Sequence, residues 1–346
     1  MKTIRDKELF ESTKSFLTDY MPLIRQKSKN TIKSYRDTIN LFFRYLEIKN
    51  KTDIFGISIS MINQESIIGF LNWIVEKRGC KATTRNQRLS CIRSFYTYLT
   101  TKDPCLMSNL SLINEIAKMP VVKDEIPKFL SEKEMSLVLS LPDIHTNLGL
   151  RDLTYLTLLY DSGARDNEIR SLKLQDMLLS SDDGKIHIVG KGSKVRLTPV
   201  SNCMTKLLKL YCEKYHENCS NANEFLFFTV HAGQHCKMSA DNSARIMSKY
   251  EKIARETLPN IAHLHPHLFR HSRAMHLYQA GMPLVLVAEW LGHSQLETTL
   301  VYAHADTSMK RKAIEKAIEG NDIIASNEKP KYMDKEKTIK KLYGLI

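Results

Sequence analysis

The sequence predicts a mostly α-helical protein with a small β-sheet, divided into two domains. Its 346 residues exceed the usual size of a single domain. Apolar residues recur at helical spacing along most of the chain, whereas β-branched alternation is confined to residues 185–200. We therefore expect a helical domain at 1–118, a linker at 119–130 and a second domain at 131–319, followed by a C-terminal tail at 320–346.

Amphipathic segments predict the helices of the N-terminal domain. They lie around residues 10–20, 30–46, 65–77 and 83–99. In the second segment, Ile32, Ile39 and Leu46 belong to one apolar stripe, and basic residues lie on the other faces of the helix. Four such helices packed together give a bundle of about 100 residues, an ordinary domain size.

Proline and capping signals mark the start of the second domain. Pro120 and Pro127 restrict the backbone, so the stretch between them is predicted to be extended. Ser131 and Glu134 have the spacing of a capping box, which predicts that a helix begins there. The next helix is expected to end at Gly163, because glycine commonly terminates helices.

The second domain also contains the strand signal of the chain. Residues 185–200 read KIHIVGKGSKVRLTPV, which predicts a hairpin that turns between Gly190 and Lys194. Helical patterns follow at 202–216, 240–257, 267–280, 283–291, 295–303 and 308–319. This domain is therefore expected to be mostly α with a small sheet.

The charge of the chain indicates an anionic partner. The formal net charge is +13, and residues 1–118 hold 20 basic and 11 acidic residues, so this third carries +9 of it. Lysine and arginine side chains that neutralise phosphates release counterions, which favours nucleic acid over the alternative, an anionic membrane surface. No run approaches the 18 or so apolar residues of a membrane span, and the N-terminus lacks a signal-peptide core, so a cytoplasmic protein is expected.

The cysteines predict neither a disulfide framework nor a metal centre. There are seven, without regular close spacing, which is typical of reduced thiols. One group contains metal-ligand residue types, but its spacing matches no common zinc module, and packing explains it better. Its members are Cys212, His216, Cys219, His231, His235 and Cys236.

Five motifs occur in a fixed order in the second domain. They are GARDNEIRSL at 163–172, VGKGSK at 189–194, HPHLFRH at 265–271, LGHS at 291–294 and TTLVYAH at 298–304. Together they resemble the tyrosine recombinase, or phage integrase-like, family. The resemblance implies an N-terminal core-binding (SAM-like) domain followed by a catalytic domain of the DNA breaking-rejoining fold. It also implies a site-specific recombinase that cleaves and rejoins DNA through a 3′-phosphotyrosyl intermediate.

The resemblance assigns roles to individual residues of this chain. The implied catalytic set is Arg165, Lys191, His267, Arg270, His293 and Tyr302, with Tyr302 as the nucleophile. We interpret His267 as the base toward Tyr302, Lys191 as the acid toward the departing 5′ oxygen, and His293 as a donor to the phosphate. Glu168, one turn beyond Arg165, and His271 are expected to support this set.

The chemistry of phosphoryl transfer agrees with these residue types. A phosphodiester under attack spreads negative charge over its non-bridging oxygens, and arginine offers a permanently charged fork that can hold two of them. A free tyrosine has a pKa near 10 and needs such assistance at neutral pH. No carboxylate cluster suited to a two-metal nuclease is evident, so cleavage without metal, ATP or another cofactor is expected.

Two alternatives remain open at this point. A type IB-like topoisomerase shares the arginine, lysine, histidine and tyrosine arrangement, and a catalytically silent DNA-binding regulator could use the same scaffold. The tail at 320–346 favours an integrase or transposase of a mobile element over a chromosome-dimer resolving enzyme.

The expected partner is double-stranded DNA with specific recombination sites. Five basic residues of the first domain are predicted to face phosphates, namely Lys33, Arg36, Arg85, Arg88 and Arg93. By the same resemblance, the helix at 308–319 packs on a neighbouring protomer, which implies a cyclic homo-oligomer on DNA, a tetramer.

Overall fold

The computed structural model describes residues 3–121, 128–180, 184–190, 194–217, 221–292, 299–300 and 302, with isolated positions at 336, 340–341 and 343–344. The chain forms two compact units, residues 1–124 and 125–346. This division falls inside the stretch expected to be a linker. Each unit has its own hydrophobic core.

The first unit is a helical bundle. Its helices are α1 (Lys7–Ser15), α2 (Lys29–Asn50), α3 (Gln64–Glu76), α4 (Ala82–Lys102) and α5 (Met107–Glu115). Helix α2 begins where Ser28 accepts a hydrogen bond from the Thr31 amide, and α3 begins at the capping box of Asn63 and Ser66. These caps satisfy amide groups that have no partner within a helix and so fix where each helix starts.

The apolar stripes of these helices form the core of the bundle. Phe42 of α2, Phe70 of α3 and Phe95 of α4 are almost fully buried. The rings of Phe42 and Phe70 meet edge to face with centroids 5.1 Å apart, a favourable aromatic geometry. The segment Phe16–Ile24 continues α1 as a π-helix that contains Pro22, a residue that cannot donate to a regular helical ladder.

The second unit is also mainly helical. Its helices are α6 (Glu132–Ser140), α7 (Asn147–Ser162), α8 (Asp166–Arg170), α9 (Asn202–His216), α10 (Ala240–Thr257), α11 (Pro266–Gln279) and α12 (Leu284–Leu291). Helix α7 lies at the centre, because Tyr155, Leu156 and Leu159 are fully buried. The C-terminal end of α7 therefore lies inside the unit, where Arg270 of α11 donates to the Gly163 carbonyl.

Two small antiparallel sheets complete this unit. Strands β1 (Met177–Leu179), β2 (Gly184–Val189) and β3 (Val195–Val200) lie in that order, and Val189 pairs with Val195 at the turn. Strands β4 (Phe228–His231) and β5 (Gln234–Lys237) form a separate hairpin. The mostly helical architecture with a small sheet is confirmed, and the second hairpin is an addition that the sequence pattern did not indicate.

The segment just before α6 belongs to the second unit. Leu130, which the sequence assigned to the linker, is fully buried. Its amide donates to Ser272 Oγ at 2.9 Å, and its carbonyl accepts from His276 Nε2 at 2.8 Å. Both partners lie on α11, so the segment before α6 is held against the helix that carries two of the sequence-predicted catalytic residues, His267 and Arg270.

Several sequence predictions lie outside the described residues. These are the helix at 308–319 and nearly all of the helix at 295–303, of which residues 299–300 and 302 are described. Most of the tail at 320–346 is likewise outside the described residues. No helix in the described part of the chain is long and apolar enough to cross a membrane.

Candidate active site

A buried carboxylate joins two arginines at the start of α8. Arg165 is the N-cap residue of this helix, and both its amide and its Nη1 donate to the Glu168 carboxylate, at 3.0 and 2.9 Å. Arg196 of β3 donates from Nη2 to the same carboxylate at 2.7 Å. Burial alone would raise the pKa of Glu168, but the hydrogen bonds from Arg196 and Arg165 outweigh it and hold the pKa below its ordinary value.

A second hydrogen-bond network, centred on Asp166, holds α8 in place. Asp166 accepts hydrogen bonds from the hydroxyls of Tyr155 and Ser243 and an ion-paired hydrogen bond from Arg170. Burial is the main reason that the pKa of the Tyr155 phenol is raised, so this hydroxyl stays protonated and keeps donating. The sequence reasoning missed this network, although the position of Asp166 directly after Arg165 was a signal for it.

The guanidinium of Arg270 is almost completely buried and bridges two helix ends. Nη1 donates to the Gly163 carbonyl at the end of α7, and Nη2 donates to the Leu291 carbonyl at the end of α12, both at 2.7 Å. Gly163 and Gly292 cap these helices with φ of +59° and +66°, a conformation that favours glycine. Burial lowers the pKa of Arg270 to about 10, so the group is still a cation at neutral pH.

Tyr302 is buried in the same unit, and its hydroxyl is hydrogen-bonded to a histidine. Only 1% of the residue is exposed, and the ring joins a cluster with Met275, Val287 and Leu291. The hydroxyl and His271 Nδ1 share a hydrogen bond of 2.7 Å. Burial raises the pKa of Tyr302 to about 12, whereas the nearby Arg270 lowers it. The hydroxyl is therefore protonated at neutral pH, and a neutral His271 ring can accept its proton.

His267 lies one helical turn before His271 on α11. The two rings are 6.5 Å apart, and His267 is exposed. Burial of part of its ring, followed by the charges of Arg270 and Arg165, lowers its pKa below the ordinary value. The structure thus brings His267 to the arginines and places His271, which the sequence ranked as a supporting residue, on the hydroxyl of Tyr302.

Two residues of the predicted set, Lys191 and His293, lie outside the described residues. Their described neighbours in the chain, Gly190 and Gly292, are close to Glu168 and Arg196. A Cβ atom built on Gly190 would lie 3.6 Å from Glu168 Oε1, and one built on Gly292 would lie 3.0 Å from Arg196 Nη1. The chain therefore approaches the cluster of Arg165, Glu168 and Arg196 at the positions just before both residues.

The five predicted phosphate-facing residues of the first unit divide into two groups. Lys33 and Arg36 are exposed, and Lys33 and Arg88 line a polar cleft of about 320 Å³ between α2 and α4. Arg85 is instead buried and donates to the Ala117 carbonyl. Arg93 donates to the carbonyls of Ile113, Asn114 and Ile116, where α5 ends.

Arg85 and Arg93 therefore bind backbone carbonyls of their own domain, and phosphate contact by them stays a prediction. Their guanidinium groups satisfy backbone carbonyls of the segment that follows α5, and such groups would otherwise lack partners. The helical period places these two arginines on α4, but it does not distinguish a surface cation from one that binds the domain's own backbone. Exposure favours phosphate contact by Lys33 and Arg36, and the position of Arg88 on the polar cleft favours it there as well.

Two histidines of the group with metal-ligand residue types have other partners. His216 Nε2 donates to the Leu226 carbonyl at 3.0 Å, and His235 pairs with Glu224. Within the described part of the chain, no three His, Cys, Asp or Glu side chains are grouped as metal ligands.

We expect acid to weaken this unit through His271. Burial lowers its pKa to about 4, below the ordinary 6.5, so the folded state prefers the neutral ring. The stabilising effect is complete above about pH 6.5 and is lost as the pH falls from there toward 4. Urea unfolding at pH 7.5 and 5 measures it. Between pH 7.5 and 5, the unfolding free energy is expected to fall by about 1–3 kcal/mol less in His271→Gln than in the wild-type protein. Equal losses in the two proteins would contradict the assignment.

The arrangement is suited to reactions at a phosphodiester. It combines guanidinium groups, which can bind phosphate oxygens, with a phenol hydroxyl that is hydrogen-bonded to an imidazole. Residues 128–309 match the model of the phage integrase family, and residues 15–103 match its N-terminal SAM-like domain. The chain belongs to the phage integrase family of tyrosine recombinases. The expectation drawn from the five motifs is thereby confirmed.

Curated relatives of this tyrosine recombinase agree along nearly their whole length. Tyrosine recombinase XerC of Bacillus licheniformis is 32% identical over 313 residues, covering 87% of this chain and 95% of the relative. Tyrosine recombinase XerD of Listeria monocytogenes is 31% identical over 296 residues, covering 84% and 93%. A putative integrase/recombinase, y4rC of Sinorhizobium fredii, is 28% identical over 304 residues, covering 87% and 89%.

Solved structures share the fold of this recombinase. The XerH site-specific recombinase in a pre-cleavage complex with its difH substrate matches with a TM-score of 0.63 at 21% identity, covering 90% of this chain and 89% of that one. The Tn1549 transposon integrase in complex with a circular intermediate DNA matches with a TM-score of 0.60 at 17% identity, covering 86% and 98%.

Proposed function

We propose that this recombinase cuts one DNA strand at a time by attack of Tyr302 on a phosphodiester, forming a 3′-phosphotyrosyl link and a free 5′ hydroxyl. The observation that carries the proposal is the hydrogen bond of 2.7 Å between the Tyr302 hydroxyl and His271 Nδ1. His271 directly follows the buried cation Arg270 on α11. One phosphodiester bond is broken and one phosphotyrosyl bond is formed, so attack by the free 5′ hydroxyl of a partner strand can form a new phosphodiester and release Tyr302 without an external energy source.

Arg165 and Arg270 are proposed to clamp the scissile phosphate. Arg165 has 38% of its side chain exposed, so its remaining N–H groups are accessible to a ligand. Arg270 uses one N–H from each of two nitrogens for helix carbonyls, which fixes its plane and leaves other donors of the fork free. A guanidinium held in this way needs no reorganisation when charge develops on the phosphate.

Proton transfers are proposed to involve both histidines of α11 and the hairpin lysine. His271 is the base suggested by the geometry, because its ring already contacts the hydroxyl of Tyr302. His267, which the sequence suggested for that task, is proposed to donate to the phosphate beside the two arginines. Lys191 as the acid toward the 5′ oxygen, and His293 as a further phosphate donor, stay predictions from the family motif.

A suicide substrate tests the nucleophile directly. A duplex with a nick close to the cleavage point loses a short fragment after attack, so the covalent complex accumulates. Digestion and mass spectrometry are expected to find the nucleotide on Tyr302, with its 3′ phosphate. A nucleotide on any other residue, or a 5′ phosphate link, would overturn the proposal. Supercoil relaxation without paired sites would instead favour the topoisomerase alternative.

The proposed partner is double-stranded DNA that carries specific recombination sites, bound by a homotetramer. Recombinases of similar fold are seen on DNA, including XerH on difH and the Tn1549 integrase on circular intermediate DNA, which supports the DNA partner.

We also propose a cytoplasmic location and a role in a mobile element. Sequencing the genomic DNA that Tyr302 captures in cells tests that role, because captured ends of an element support it and a chromosomal resolution site contradicts it.

Arg36 and Arg93 are expected to affect different properties. Arg36 is exposed on α2, so Arg36→Gln is expected to weaken DNA binding and reduce the slope of log affinity against log salt by about 1, with unchanged melting. Arg93→Gln removes hydrogen bonds to three carbonyls and is expected to destabilise the first unit by about 1–3 kcal/mol. Fluorescence anisotropy across a salt series and thermal melting separate the two. The reverse pattern would show that the two arginines are wrongly assigned.

A further inference from the structure

Arg196 is a half-buried cation that the catalytic roles above do not use. It lies on β3, and its side chain is 17% exposed. Its Nη2 donates to Glu168 Oε2 at 2.7 Å, while Glu168 Oε1 accepts from Arg165 Nη1 at 2.9 Å. One carboxylate thus pairs with two guanidinium groups, of which Arg165 has the larger exposed fraction, 38% of its side chain.

The charges of this trio show what Arg196 supplies. Without Arg196, Glu168 would neutralise Arg165, and the pair would present no net charge to an anionic ligand. With Arg196, the three side chains carry a net charge of +1 at the place where Arg165 is accessible. Because the carboxylate is buried, its charge is poorly screened by water, and the effect on a nearby phosphate is larger than it would be at the surface.

Stability alone is a weak explanation for this buried pair. Replacing a buried ion pair with well-packed apolar side chains is often neutral or stabilising. The Arg196 side chain also packs closely against the backbone at Gly190 and Gly292, where an added Cβ would lie 3.6 and 3.0 Å from its Nη1. These two glycines directly precede Lys191 and His293 in the sequence. The charged pair therefore lies beside the chain positions that directly precede two residues of the predicted catalytic set.

We propose that Arg196 is a positioning residue that neutralises Glu168 and so leaves the charge of Arg165 available to the scissile phosphate. Glu168 retains its own task, which is to cap α8 and orient the Arg165 guanidinium. This inference rests on the proposed function, because it presumes that Arg165 binds the phosphate under attack. Arg196 itself contacts the carboxylate and not the reacting atoms.

The proposal predicts how cleavage responds to charge. Arg196→Gln is expected to slow single-turnover cleavage on the order of 10- to 100-fold, as is typical when a partner that orients an active group is removed. Arg196→Lys, which keeps the charge, is expected to recover most of the rate. The double variant Arg196→Gln with Glu168→Gln is expected to be faster than Arg196→Gln alone, because the unneutralised carboxylate is gone.

A neutral substrate separates this role from a merely structural one. A methylphosphonate at the cleavage point has one negative charge fewer than the phosphodiester, so the defect of Arg196→Gln is expected to shrink at least several-fold on that linkage. Lys206→Gln, which removes an exposed positive charge from α9 of the same unit, is the matched control and is expected to leave both rates unchanged. Thermal melting of each variant identifies loss of folding.

The outcomes decide between distinct failures. An Arg196→Gln defect of equal size on both linkages, or a double variant no faster than the single one, overturns the inference. If Arg196→Gln fails to fold, the Arg196→Lys variant decides, because a folded protein with a large defect on the phosphodiester contradicts neutralisation as the role. If the wild-type protein forms no covalent complex on either linkage, the proposed function fails instead.

Discussion

Replacing Tyr302 with Phe is expected to reduce covalent DNA attachment below detection while leaving DNA binding nearly unchanged. The change removes only the hydroxyl, and the ring keeps its place in the cluster with Met275, Val287 and Leu291. His271 loses a hydrogen-bond partner, which costs about 1 kcal/mol of stability, so the protein still folds. Denaturing gels of a suicide-substrate reaction measure attachment, and fluorescence anisotropy measures binding.

Tyr278→Phe is the matched control for this experiment. Tyr278 lies on α11 and packs against the same cluster as Tyr302. Its replacement therefore reports the general effect of removing a tyrosine hydroxyl from this part of the unit. It is expected to form covalent complexes at the wild-type rate. Persistent attachment in Tyr302→Phe, or its loss in Tyr278→Phe, would refute Tyr302 as the nucleophile.

Arg270 is expected to give the second largest effect. Arg270→Lys keeps a positive charge but loses the planar fork that reaches Gly163 and Leu291 and still has donors for a phosphate. Cleavage is therefore expected to fall by about 10²–10³-fold, the loss typical of one donor at a developing oxyanion, or more. Single-turnover cleavage of a nicked duplex at saturating protein measures the chemical step apart from binding.

Stability must be followed in the same variants, because the site of Arg270 is buried. Arg270→Ala leaves two buried carbonyls without partners and is expected to lower the unfolding free energy by about 2–5 kcal/mol. Arg255→Lys in α10, an exposed arginine paired with Glu251, is the control for an arginine-to-lysine change and is expected to alter neither property. An Arg270→Lys protein that cleaves at the wild-type rate would remove Arg270 from the clamp.

The helical pattern predicted the main elements of both units because one face of each helix is buried. The periodic stretch at 30–46 lies within α2, and the stretch at 83–99 lies within α4. Strands β1, β4 and β5 are only three or four residues long and contain no buried residue, so no apolar alternation distinguishes them from loops. A short strand acquires its structure from its pairing partner, which a local pattern does not contain.

Side-chain partners were predictable only where residue spacing along one element determines them. Arg165 and Glu168 are three residues apart, and the expected support of the arginine by the carboxylate agrees with their contact. Arg93 and the end of α5 are about 20 residues apart, so the use of this arginine inside its own domain follows from tertiary packing alone. His271 is an intermediate case. Its place on α11, one turn before Met275, follows from residue spacing, but the packing of Tyr302 on Met275 is tertiary.

The bridge that Arg270 makes between the ends of α7 and α12 also has a consequence for protein synthesis. The carbonyl of Leu291 is added to the growing chain well after the motif around Arg165, and Tyr302 is added later still. A nascent chain that has not yet released residue 291 from the ribosome therefore lacks the carbonyl that holds the guanidinium. Truncated products of interrupted translation that stop before this point contain the whole first unit, which has its own hydrophobic core, but they lack Tyr302, the proposed nucleophile. Under the proposed function, such fragments are expected to bind DNA without cleaving it.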